Sequence, residues 1–116
     1  MSYDITITGA TCPTCGAVGA SGSWDPTYNF RQMFDAAFGD GYWADHLNGK
    51  RCGDVIPLLE RVVTDMRSRP DYYRQFDASN GWGRYDGDGN GSIVDVVLQP
   101  MLDVCRQSPE GRIKIT

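Results

Sequence analysis

The chain of 116 residues has a single histidine, no long apolar run and no surplus of positive charge. Each shortage excludes something. His46 stands among Tyr42, Trp43 and Leu47, a setting for aromatic packing, and no Ser-His-Asp or Cys-His arrangement has a recognisable local context. Eleven Lys and Arg against 15 Asp and Glu leave a net charge of −4. A protein that coats nucleic acid needs a basic face to displace counterions, so that class is excluded. The longest uncharged stretch, Ile5 to Trp24, holds only Ile5, Ile7, Val18 and Trp24 as large apolar residues, too few to partition into lipid. No basic segment followed by an apolar one opens the chain, and neither a Walker nor a dinucleotide fingerprint is present. The expectation is a soluble, cytoplasmic protein with neither a membrane nor a nucleic-acid partner.

What is present suffices for one core. Hydrophobic residues make up 41% of the chain, and there are no internal repeats, heptads or linkers, so residues 1–116 read as one domain. Tyr3 to Thr8 alternates and is β-branched, which predicts a half-buried strand. Residues 9–23 form a Gly-rich loop, and Trp24 to Asn29 reads as a short edge strand interrupted by Pro26. Asn29 then caps a helix over Phe30 to Phe38, whose Phe30, Met33, Phe34, Ala37 and Phe38 share a face. A longer helix runs from Cys52 or Asp54 to Arg69 with Val55, Leu59, Val62 and Met66 inward. Asp54 as its cap would put Pro57 in the first turn, and Pro70 ends the helix. A short helical turn over Asp71 to Phe76 and a second Gly-rich loop, 78–91, follow. Ser92 caps a third helix to Gln107, which Pro100 should kink. Arg112 to Thr116 reads as a closing strand. The fold class is α+β: a small sheet of two or three strands formed by the chain ends, covered on one face by about three helices.

Two motifs carry metal chemistry. Cys12-Pro-Thr-Cys15-Gly16 has the spacing of half a zinc knuckle, a tight turn that aims two thiolates at one ion. Zinc needs four ligands, and His46, Cys52 and Cys105 are the other soft candidates. Unmetallated thiols or a redox pair share the spacing, although the glycines after Cys15 disfavour the helix a redox motif opens. Cys52 and Cys105 lie in apolar helical stretches and read as buried free thiols. Asp86, Asp88, Asn90 and Ser92 match the first oxygen ligands of a calcium loop, with Gly91 at the turn position. The bidentate Glu that closes such a loop is replaced by Val97. Calcium affinity is therefore expected no tighter than about 10⁻⁴ to 10⁻³ M.

Tyr72, Tyr73, Phe76, Trp82 and Tyr85 make an aromatic-rich stretch around the second Gly-rich loop. Tyr28-Asn29-Phe30, then Pro57 through Met66 with Pro70-x-x-Tyr73, then Asn80-Gly-Trp82-Gly-x-Tyr85 together resemble an uncharacterised family of small proteins from actinobacteria and their phages. The resemblance spans about Tyr28 to Thr116 and departs after Gly87, where Asp88 to Gly91 is interposed. It implies a bacterial or host cytoplasm and brings no activity with it. The reading this supports is an accessory interaction domain that binds a protein partner through the aromatic loop, with Tyr28, Asn29, Asn80, Trp82 and Tyr85 as binding residues. The alternatives are a small-molecule or enzymatic pocket around Asn29, Trp82 and Tyr85, and a zinc-stabilised structural domain on Cys12 and Cys15.

Overall fold

Ile5 and Ile7 alternate with Thr6 and Thr8, and in the computed structural model that alternation builds the central strand, β1 (Ile5–Thr8). The structure describes residues 2–10, 14–17, 19–77, 83–87 and 91–116. β2 (Gly22–Trp24) and β3 (Arg112–Ile115) pair antiparallel on either side of β1, giving the order β2-β1-β3. The register sets Ile5 opposite both Trp24 and Ile115, and Ile7 opposite Ile113. The isoleucines therefore point to one face, where all four are buried, and Thr6, Thr8, Arg112 and Lys114 point to the other. The sheet is covered on that one apolar face by helices, the α+β arrangement expected from the sequence.

α1 (Arg31–Phe38) and α2 (Cys52–Ser68) bury the stripes their spacing implies, Met33, Phe34, Ala37 and Phe38 on one, Val55, Leu59, Val62, Val63 and Met66 on the other. α3 (Pro70–Arg74) opens on the proline that stops α2. A π-helical turn, Val94–Leu98, leads into α4 (Gln99–Gln107), and two 3₁₀ turns, Tyr28–Phe30 and Trp43–His46, fill the connections. Their buried side chains join one core cluster.

Several local details depart from or refine the sequence expectations. The second strand lies at 22–24 rather than 24–29, because Pro26 has no N–H to continue the ladder. Thr27, not Asn29, caps the following turn: its Oγ1 accepts the Asn29 N–H at 3.5 Å and its carbonyl the Phe30 N–H at 3.1 Å. Arg51 rather than Asp54 occupies the α2 cap, so Pro57 lies beyond the first turn, where it withholds the bond Gly53's carbonyl would accept. At Pro100 the turn ahead of it widens. The Gln99 N–H donates to the Val94 carbonyl five residues back. The 3₁₀ turn at Trp43–His46 was not anticipated. His46 Nε2 there donates to the carbonyls of Gly39 and Asp40 at 2.8 and 2.9 Å and ties down the end of α1.

The two outer edges of the sheet differ. Beyond β3, Gly49 N–H donates to Ile113 at 2.7 Å, Ile113 N–H to Lys50 at 3.1 Å and Cys52 N–H to Gly111 at 2.8 Å, so the chain entering α2 covers that edge. Beyond β2, no described residue does the same.

Candidate functional site

The ladder fixes which backbone groups of β2 face outward. Tyr3 N–H donates to the Pro26 carbonyl at 2.8 Å, so Tyr3 and Pro26 are a hydrogen-bonded pair. In an antiparallel ladder such pairs recur every second residue, which makes Ile5–Trp24 and Ile7–Gly22 hydrogen-bonded as well. Ser23 and Asp25 lie between them. Their N–H and C=O groups point away from β1, and among the described residues nothing accepts or donates to them.

That open edge borders a cleft of about 890 Å³. One wall is the backbone from Ser23 to Thr27, with the Trp24 indole; the floor is Phe30, Ile93, Val96 and Val97; the far wall is Gly83, Arg84, Gly87 and Gly91. Val96 is 38% exposed and offers its side chain to the cleft. Trp24 reaches the cleft side because Gly22 lets it fold back: a Cβ on Gly22 would stand 2.5 Å from the indole. Gly83, at φ +75°, brings the far wall against the Tyr28–Phe30 turn, where a Cβ would stand 2.6 Å from Asn29 Cβ.

The residues singled out from the sequence divide. Asn29 and Gly83, from two separate stretches of the family resemblance, meet as just described. Tyr28 is 43% exposed and sets its ring edge-on to Tyr3, centroids 4.7 Å apart. Asn29 is exposed and donates from Nδ2 to Thr27 Oγ1 at 3.4 Å. Tyr85 is structural: 5% exposed, its hydroxyl donates to the Met66 carbonyl at 2.8 Å, and burial raises its pKa above the ordinary phenol value. Asn80 and Trp82 lie outside the described residues, as do Cys12, Asp88 and Asn90.

Of the two metal motifs, Cys15 is exposed, and among the described residues no group of three or more His, Cys, Asp or Glu side chains converges to hold an ion. Asp86 is held by Arg74, whose Nε and Nη2 donate to its two oxygens at 3.0 and 2.9 Å and lower its pKa. Ser92 and Asp95 form a reciprocal cap at the start of the π-helical turn that leads into α4. Asp95 N–H donates to Ser92 Oγ at 3.3 Å and Ser92 N–H to the Asp95 carboxylate at 3.4 Å, while Arg67 pairs with Asp95 at 3.0 Å. Cys52 and Cys105 are buried free thiols, and burial raises the pKa of both.

Ser23, Trp24, Asp25 and Val96 are the residues that sequence reading did not single out for the site. The polar-aromatic-polar run Ser23-Trp24-Asp25 was their one local signal, the alternation of a half-buried strand.

No family model, curated protein or solved structure matches the chain.

Proposed function

We propose that the protein is an interaction module that captures a segment of a protein partner in extended conformation, laid along the free edge of β2 and over the apolar cleft beside it. The observation that carries this reading is the coincidence of the two features. Outward N–H and C=O groups at Ser23 and Asp25 offer main-chain hydrogen bonds, and the adjacent floor of Phe30, Ile93, Val96 and Val97 offers a place for alternate side chains. Strand addition needs both, the ladder for affinity and the pocket for selectivity. This reading moves the interaction surface from the aromatic loop as a whole to the cleft, and the buried Tyr85, its hydroxyl on the Met66 carbonyl, is not part of it.

The test is selection from a library of random dodecapeptides, followed by binding to two variants. Ser23→Pro removes an outward donor without touching the bonds to β1, and Val96→Asp places a charge on the cleft floor. Selected peptides should be rich in β-branched residues and lose at least tenfold in affinity to each variant. Peptides that bind both variants as well as the wild type would contradict the reading.

A second reading, a small apolar ligand in the cleft, rests on its volume, which lies in the usual range for such sites. Binding of that kind would be lost in Val96→Asp and kept in Ser23→Pro.

A further inference from the structure

Continuing the β1–β2 register one step beyond Ile5–Trp24 sets Asp4 opposite Asp25, a placement fixed from the other side by the Tyr3–Pro26 hydrogen bond and the Ser2–Thr27 bridge. Side chains alternate along a strand, so Asp4 and Asp25 share the face of Thr6 and Ser23, opposite to Ile5 and Trp24. Both are exposed, and neither forms an ion pair with any described residue. Like charges directly across a ladder destabilise it. Two carboxylates that no described residue pairs with thus stand across the ladder from one another beside the open edge, where a third strand would bring a side chain next to them.

From this juxtaposition, and resting on the reading of β2 as a docking edge, we infer that the captured segment carries an apolar residue flanked by a lysine or arginine. The apolar side chain stands opposite Trp24 and enters the cleft; its basic neighbour stands opposite Asp25 and answers both carboxylates. Trp24 would form a non-hydrogen-bonded pair with the added strand, the type in which facing side chains approach most closely. A second copy of this chain fits poorly as the occupant, because its own β2 would add Asp4 and Asp25 to the two already there. The same repulsion guards the edge against self-pairing.

The experiment titrates two blocked heptapeptides, Thr-Val-Lys-Val-Thr-Val-Thr and the same sequence with Glu for Lys, into the wild type and into a double variant, Asp4→Asn with Asp25→Asn. Amide chemical shifts at Ser23 and Asp25 report where each binds. In 20 mM salt the Lys peptide should bind the wild type at least tenfold tighter than the Glu peptide, and the ratio should shrink in 0.5 M salt as screening grows. In the double variant the two should bind within about twofold of each other. Equal binding of both peptides at the edge of the wild type would overturn the charge preference and leave the docking edge standing. Binding of neither at 1 mM would overturn the docking edge, and the preference with it. A concentration-dependent dimer in sedimentation, with the Ser23 and Asp25 amides protected in it, would overturn the choice of a foreign partner.

Discussion

Gly83 holds the far wall of the cleft against the Tyr28–Phe30 turn, and two constraints meet at that residue. Its φ of +75° is a conformation L side chains rarely adopt, and a methyl group would sit 2.6 Å from Asn29 Cβ and 3.1 Å from Asn29 carbonyl carbon. Gly83→Ala should cost about 1–3 kcal/mol in a denaturant titration, as positive-φ strain adds to the displaced backbone. Tyr85 answers a different local problem. The Met66 carbonyl should accept an N–H from residue 70 in a continuing helix, but residue 70 is proline and has none. The Tyr85 hydroxyl supplies the missing donor at 2.8 Å. Tyr85→Phe keeps the ring and orphans that buried carbonyl, so it should lower stability by about 1–3 kcal/mol with the fold unchanged. Neither role was legible beforehand. Tyr85 reads from the sequence as one aromatic among several near a loop, and only the return of the chain over the end of α2 shows which carbonyl it serves.

At the scale of the element, α2 and α3 are joined by a polar knot. Arg69 donates to Asp65 through Nε at 3.0 Å and Nη2 at 2.7 Å, and the Tyr73 hydroxyl donates to the same carboxylate. Arg69, and after it Tyr73, hold the Asp65 carboxyl below its ordinary range. Burial first, then Asp65, pushes the Tyr73 phenol up to about 12. The signs are opposite. The Asp65 contribution is complete above the ordinary carboxylate value of about 4 and is lost as pH falls through the lowered one. The Tyr73 contribution is complete below about 10 and is lost as pH rises toward 12. Melting temperature should therefore fall on both sides of a neutral plateau, and Asp65→Asn should flatten part of the acid arm and make the alkaline fall smaller, beginning at the same pH and ending sooner. An acid arm identical in Asp65→Asn and wild type would contradict the knot. The helices themselves were legible, since Met33, Phe34, Ala37 and Phe38, and Val55, Leu59, Val62 and Met66, recur at the helical period. Their ends were less so: caps depend on backbone angles that Asn29 and Asp54 were chemically able to supply but Thr27 and Arg51 occupy. The widened turn before Pro100 shares that character, because a lost hydrogen bond states a problem and packing chooses the remedy.

Across the whole molecule, the sheet keeps one edge closed and one open. The segment entering α2 pairs with β3, while β2 faces the cleft with Ser23 and Asp25 turned outward. An α+β fold with the chain ends on neighbouring strands could be read from the alternation of Tyr3 to Thr8 and Arg112 to Thr116. The cleft could not, because it joins residues 23–27 to 83–97, and the outward face of β2 follows from register, which shifts with a single residue. The open edge is the central claim, and backbone amide hydrogen exchange in the free protein tests it most directly. The Trp24 amide, bonded to Ile5, should be protected, while the amides of Ser23 and Asp25 on either side should exchange close to the rate of an unstructured chain. Protection of Ser23 and Asp25 equal to that of Trp24 in the monomer would show the edge to be covered and would contradict the account.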